Sequence, residues 1–260
     1  MKKFAAILLT LMLIIPFASC QKEKQTPYEL YKAAYDKMSA LDSYEMNIDM
    51  TMKMSMEGMD LEIPMDMNIK TAGLKTDSPV SRVVTTTEAL GMSSTTDVYT
   101  AGEYSYYTAE EGNYKIKTEL DEDAATGMNM LEADFEESAF EGAEITEDKD
   151  GNKTFALTLS SKQFADSFKD LIGSLTEENV NAEISDIKIS VTVSSNGYFK
   201  ALSMSFKMPM DMMETEVATE INMECEFVNP GTAVSVQAPE GYESYEDYSD
   251  DLGDLGDLFD

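Results

Sequence analysis

Tyr44-Glu45-Met46-Asn47-Ile48-Asp49-Met50-Thr51-Met52-Lys53-Met54-Ser55-Met56-Glu57 is apolar at every even position and polar at every odd one. Gly58 breaks the phase, and Met59, Leu61, Ile63, Met65, Met67 and Ile69 carry it on at odd positions. Successive side chains of a strand point to opposite faces. A period of two sustained over this length predicts a long, half-buried β-hairpin that turns at the glycine. The 14 residues quoted would extend about 46 Å at ~3.3 Å per residue, and strands that long twist and coil. Pro64 falls on the polar phase of the second strand, and Pro209 lies near the far end of the chain. Each predicts a sheet edge or a bulge, because proline cannot donate to a ladder.

Upstream of the hairpin the chain carries an address. Met1-Lys2-Lys3 is a short positive segment, and Ala5 to Phe17 is an apolar run of 13 residues broken only by Thr10 and Pro16. Crossing a bilayer takes about 20 helical residues, so this run reads as the core of a secretory signal peptide, residues 1–19. Phe17-Ala18-Ser19-Cys20 follows, and small residues before a lone cysteine resemble the lipobox of bacterial lipoproteins, although Phe17 stands where leucine is commoner. The resemblance implies cleavage before Cys20 and a diacylglycerol on its thiol. Two acyl chains anchor stably where one barely does. Residues 20–25 would then be a short tether that holds the domain close to the outer face of the membrane.

Loss of Lys2 and Lys3 leaves 17 basic against 50 acidic residues, a formal net charge of −33, with no histidine and no tryptophan. Nucleic acid is excluded as a partner, since phosphate recognition needs clustered Lys and Arg. Anionic headgroups would repel this surface as well. Cys225 sits on the apolar phase of a strand with Met223 and Phe227, which predicts a buried, unreactive thiol.

Around the hairpin, Thr26-Pro27-Tyr28-Glu29 is a capping box with proline at the first helical position. It predicts a helix over 26–42 with Tyr31, Ala34, Met38 and Leu41 on one face. Segments 82–90, 92–100, 104–108 and 114–117, separated by Gly91, Gly102 and a turn at 110–113, predict an antiparallel meander. A short helix is expected within 120–140, carrying Met128, Leu131, Phe135 and Phe140. Another opens at Ser160 with Gln163 at its third position, presents Phe164, Phe168, Leu171 and Ile172, and stops at Gly173. Strands follow at 187–193, 202–210 and 217–227, with Asn196-Gly197 as a two-residue hairpin turn and Val234-Ser235-Val236 as a short last strand. Residues 240–260 hold nine acidic and no basic residues and are expected to be a disordered tail. The body, 26–239, is one α+β domain: a curved, mostly antiparallel sheet with the N-terminal helix and two further helices packed on one face.

Catalytic signals are thin. Without histidine there is no Ser-His or Cys-His pair and no imidazole metal site, and no glycine-rich phosphate loop is present. The chain reads as a non-enzyme without a cofactor. Asp148-Lys149-Asp150-Gly151-Asn152 invites a calcium reading, but the EF-hand register puts Thr146 first and Leu157 at the place of the bidentate glutamate, so a β-turn is the better reading. The informative excess is methionine, with eight between 44 and 70 and six between 204 and 223. Methionine fills cores, adapts to varied apolar ligands, and as a soft thioether suits Cu(I). Three readings stay open: a filled core, an apolar cleft, and a copper site. A cleft would be lined by Met46, Ile48, Met50, Met52, Met54, Met65, Met67, Met204, Phe206 and Met208.

Leu30 to Ser43 running into Tyr44-Glu45-Met46, then Val98-Tyr99-Thr100-Ala101-Gly102-Glu103-Tyr104, and the closing Val234-Ser235-Val236-Gln237-Ala238-Pro239 together resemble the LolA/LppX/LprG-like lipoprotein superfamily, in particular its Gram-positive surface lipoproteins. The resemblance implies a half-open β-barrel lidded by helices and a lipid or other hydrophobic ligand. The alternative is an envelope protein with a filled core that binds another protein through its acidic surface. The chain is expected to be monomeric.

Overall fold

The computed structural model describes residues 25–56, 59–110, 112–117, 135–168, 184–212 and 215–249. Helix α1 spans Pro27–Ser39. Its capping box is complete: the Glu29 amide donates to Thr26 Oγ1 at 3.2 Å, and the Thr26 amide donates to Glu29 Oε2 at 2.9 Å. Leu30, Tyr31, Ala34 and Met38 form its buried face. The helix stops short of the expected residue 42 because Asp42 is used elsewhere. Its carbonyl accepts from the Leu74 amide at 3.0 Å and its carboxylate from the Lys75 amide at 3.0 Å.

Among the described residues twelve strands form one open sheet: β1 (Ser43–Met56), β2 (Met59–Ala72), β3 (Val80–Ala89), β4 (Met92–Ala101), β5 (Tyr104–Ala109), β6 (Gly112–Lys117), β7 (Thr146–Glu147), β8 (Lys153–Leu157), β9 (Ser185–Val193), β10 (Phe199–Met212), β11 (Thr215–Phe227) and β12 (Glu246–Asp247). Their order across the sheet is β12-β6-β5-β4-β3-β2-β1-β11-β10-β9-β8-β7. All neighbours are antiparallel except β12 and β6. The long hairpin lies at the centre, and β1 is zipped along its other side to β11, from Met46 opposite Phe227 to Ser55 opposite Ala218. This is the curved, open antiparallel architecture expected, with two edges left unjoined among the described residues.

Among the described residues, both prolines sit where the pairing of their strand has ended on one side. Pairing of β2 with β3 ends at Met65 opposite Thr87, one residue short of Pro64. Pairing of β10 with β9 ends at Lys207 opposite Ser185, two residues short of Pro209.

The helices differ from expectation. Helix α2 is Ser161–Ser167, capped by Ser160 and Gln163; the rest of the segment predicted to run to Gly173 lies outside the described residues. Most of the helix expected within 120–140 lies outside them too, and Glu137–Phe140 forms a single 3-10 turn. Asn196-Gly197 is not a two-residue hairpin turn. The Gly197 amide donates to the Ser194 carbonyl at 2.8 Å and Gly197 alone takes a positive φ, +83°. A turn over 194–197 followed by a left-handed glycine closes a longer loop.

The C-terminal segment departs from expectation in two ways. Val234-Ser235-Val236 is not a strand: the Val234 amide donates to Ser43 Oγ at 2.9 Å, side chain to backbone. Residues 240–249 are not a disordered tail. The chain leaves β11, crosses β1 to β5, and adds β12 beside β6, with Glu246 opposite Tyr114 and Asp247 opposite Lys115. Tyr242–Ser244 forms a 3-10 turn on the way.

Candidate functional site

Directly opposed residues of neighbouring strands share a face, so the registers sort the sheet into rows. One row reads Thr87, Met65, Met50, Met223, Met204, Ile189, Leu157 across β3, β2, β1, β11, β10, β9 and β8. The next reads Thr85, Met67, Ile48, Cys225, Leu202, Val191, Phe155. Met46 pairs with Ile69 and Phe227, Met52 with Ile63 and Ile221, and Met54 with Leu61 and Thr219; Phe206 lies opposite Ile221 and Met208 opposite Thr219. All ten candidate lining residues therefore stand on one face of the sheet.

Their burial is uneven. Met46, Ile48, Met50, Met54, Met204, Phe206 and Met208 are buried, whereas Met52, Met65 and Met67 are only half-buried. The cause is what lies above them. Helix α1 packs on β9 and β10, and α2 on β9. The rings of Phe164 and Phe206 stand 4.8 Å apart, those of Tyr31 and Phe199 5.2 Å, and those of Phe140 and Phe155 6.0 Å. These aromatic residues fill the face over β8 to β10. Towards β2 and β3 the same face carries Met65, Met67 and Val83 half-exposed. The apolar floor continues beyond the predicted residues, with Val83 opposite Val98, Val98 opposite Tyr107, and Tyr107 opposite Tyr114. The last two rings stack 5.0 Å apart at 6°. Burial, and then the neighbouring Tyr114, holds the Tyr107 phenol above its ordinary range.

The chain belongs to the family of unknown function DUF6612. The family model matches residues 26–240, so the DUF6612 region takes in α1, the whole sheet up to β11 and the start of the crossing segment. No curated protein matches. Similar solved structures include LprF from Mycobacterium bovis, at 10% identity and a TM-score of 0.46, with 82% of this chain and 96% of that one covered. Another is a LolA superfamily protein from Nitrosomonas europaea, at 10% identity and a TM-score of 0.26, with 83% and 96% covered. At such scores neither likeness speaks to ligand or activity.

Within the DUF6612 region, Cys225 is buried in the core. Burial first, then the charges of Asp49 and Glu224, push its thiol up to about 12, so the thiolate that would react or bind metal is suppressed. Tyr44 is pushed up to about 12 by burial, partly offset by the nearby Thr71 hydroxyl; neither hydroxyl completes a hydrogen bond of regular geometry. Four methionines, Met65, Met50, Met223 and Met204, come side by side on neighbouring strands, as a thioether site would require, yet three of them are sealed in the core. Among the described residues no group of three or more His, Cys, Asp or Glu could hold a metal ion. The calcium-like turn uses up its own carboxylate: Asp148 accepts from the Asp150 and Asn152 amides at 2.9 Å and from Asn152 Nδ2 at 2.8 Å. Those hydrogen bonds, Asn152's first, hold its pKa below the ordinary aspartate value. Cys20 lies outside the described residues. Among the described residues no helix is long and apolar enough to cross a membrane.

Sequence reasoning missed the other face. There Tyr242 meets Tyr106 edge-on at 4.9 Å and Tyr99 at 5.4 Å, and Tyr245 donates to or accepts from Thr108 Oγ1 at 2.7 Å. The signal was present as Tyr242, Tyr245 and Tyr248, three residues apart within an acidic run.

Proposed function

We propose that the protein is a lipid-anchored extracytoplasmic binding protein, monomeric and non-enzymatic, that holds an acyl chain against the half-exposed end of its apolar sheet face. Residues 1–20 support the anchor, through the signal-peptide pattern and the lipobox-like Ala18-Ser19-Cys20. One observation carries the ligand reading. The methionine rows are sealed by helices over β8 to β10 but continue, half-buried, through Met65, Met67 and Val83. Apolar walls with few polar groups characterise small-molecule sites, and unbranched methionine accommodates chains of varied shape.

Native mass spectrometry of the purified protein, with a fluorescent fatty acid as displacement probe, tests the ligand. The expected result is an acyl-bearing molecule that co-purifies with the wild type and is lost from Met67→Asp. A protein that carries no lipid and ignores the probe sinks the cleft reading and leaves the filled-core, protein-binding alternative. The anchor has its own test: Cys20→Ser should release the protein from the membrane fraction, and retention would refute lipidation.

A further inference from the structure

The back of the sheet holds a cavity that the apolar face does not explain. It has a volume of about 420 Å³ and is lined by Asn68 and Lys70 of β2, Arg82 and Val84 of β3, and Ser235 and Gln237 of the crossing segment. That volume lies within the ~300–1,000 Å³ typical of ligand pockets. Lys70 and Arg82 are directly opposed across the β2–β3 ladder. Like charges in that relation destabilise a sheet. In a chain with 50 acidic and 19 basic residues, the lining nonetheless contains two cations and no carboxylate.

The carboxylates that serve these cations stand one strand further out on each side. Glu45 of β1 lies 3.3 Å from Lys70 Nζ. Asp97 of β4 accepts from Arg82 Nε at 2.9 and 3.2 Å, one distance to each carboxylate oxygen, and from Nη2 at 2.5 Å. Charge therefore runs minus, plus, plus, minus across four strands, with the two positive groups facing the cavity between them. The Glu45 and Asp97 contacts fix the directions of both cations without using all of their donors, since an ammonium carries three and a guanidinium five. Arg82 Nη1 donates to the Gln237 carbonyl at 3.1 Å, which ties the roof of the cavity to its floor.

The geometry points to a binding site for an oxyanion, carboxylate or phosphate, carried on a small polar molecule and seated between Lys70 and Arg82 beneath Gln237. An anion there turns the like-charge opposition into attraction, and charge-assisted hydrogen bonds are the stronger kind. The cavity exceeds the volume of the ion alone, so the remainder of the ligand lies against Val84, Ser235 and Gln237. Because this site is on the opposite face from the methionine rows, it stands independently of the acyl-chain reading.

Titration calorimetry of the purified protein at fixed ionic strength, with inorganic phosphate and with acetate, tests the free-ligand arm. Sedimentation with phosphatidylglycerol vesicles, against phosphatidylcholine vesicles, tests the same chemistry presented as a lipid headgroup. Saturable binding in either arm, weakened tenfold or more by Lys70→Gln and by Gln237→Ala, is the expected result, and the responding arm names the source. Both substitutions leave the Arg82–Asp97 pair and the Gln237 carbonyl in place, and circular dichroism checks that each variant is folded. Folded variants that match the wild type in both arms, or a wild type that binds nothing, overturn the site.

Discussion

If the C-terminal segment is a structural part of the sheet, Tyr245 should hold it there. The side chain is 8% exposed, its hydroxyl lies 2.7 Å from Thr108 Oγ1, and its ring stands 6.2 Å from that of Tyr106. Burying an aromatic side chain contributes about 1.5–3 kcal/mol, an edge-to-face pair about 0.5–1.5, and the hydrogen bond about 1. Tyr245→Ala should therefore cost about 3–5.5 kcal/mol and Tyr245→Phe about 1. With a urea slope of ~2 kcal/mol/M, the midpoint falls by about 1.5–2.7 M for alanine and about 0.5 M for phenylalanine. The segment can also detach before the sheet unfolds, so a local readout is needed. The Tyr248 amide donates to the Lys115 carbonyl at 2.9 Å, and hydrogen exchange should show it protected in the wild type and exposed in Tyr245→Ala. A Tyr248 amide that exchanges at the free-peptide rate in the wild type, with an unchanged midpoint for Tyr245→Ala, would refute the docked arrangement.

The remaining expectations concern the core and the turns. The Cys225 thiol is raised from 9.0 to about 12 and the Tyr44 phenol from 10.0 to about 12, so the folded state holds these protons more tightly than the unfolded chain. Stability is then complete below pH 9 and is lost as pH climbs towards 12, by on the order of 4 kcal/mol for the thiol at 1.36 kcal/mol per unit. Cys225→Val should delay the onset of that loss from pH 9 to pH 10, where Tyr44 begins to contribute; identical melting curves for both proteins between pH 9 and 10 would contradict the assignment. Phe206→Ala removes a fully buried ring 4.8 Å from Phe164 and should cost about 3–5 kcal/mol, whereas Met67→Ala, at a half-buried position, should cost less than about 2; equal costs in urea denaturation would mean that burial does not fall off towards β2. Leu90 holds φ at +53° beside Gly91 at +79°, with its side chain 77% exposed. Asparagine suits that conformation better, so Leu90→Asn should raise stability by about 1 kcal/mol, and a lowered melting temperature would show that the leucine is held by contacts of its own.

Strands were legible from sequence wherever one face met the core and the other met water. Tyr44 to Met56 alternates without a fault, and its even positions Tyr44, Met46, Ile48, Met50 and Met54 are buried. The alternation fixes a face but not what covers it, which is why Met50 and Met67 read alike although one is sealed and the other half-exposed. Nor does it fix a neighbour: the zipping of β1 to β11 joins segments some 170 residues apart, and period two is silent on that. The Asn196-Gly197 dipeptide marked a turn correctly and its type wrongly, because glycine at positive φ serves several hairpin loops.

The C-terminal crossing was missed for a different reason. Nine carboxylates between 240 and 260 dominate any compositional reading and conceal the three tyrosines among them. A better signal lay elsewhere, in Tyr104-Ser105-Tyr106-Tyr107. Alternation fails there: Tyr107 belongs to the methionine face, opposite Val98, while Tyr104 and Tyr106 point to the back, opposite Ala101 and Tyr99. A strand with large rings on both faces has to be covered on both. Among the described residues the cover is the chain's own end, which lays Tyr242 on Tyr99 and Tyr106, sets Asp247 3.8 Å from Lys115, and seals the edge of β6 with β12. An aromatic strand that breaks its own period is thus a prediction that some other segment lies across it, even where that segment reads as too acidic to fold.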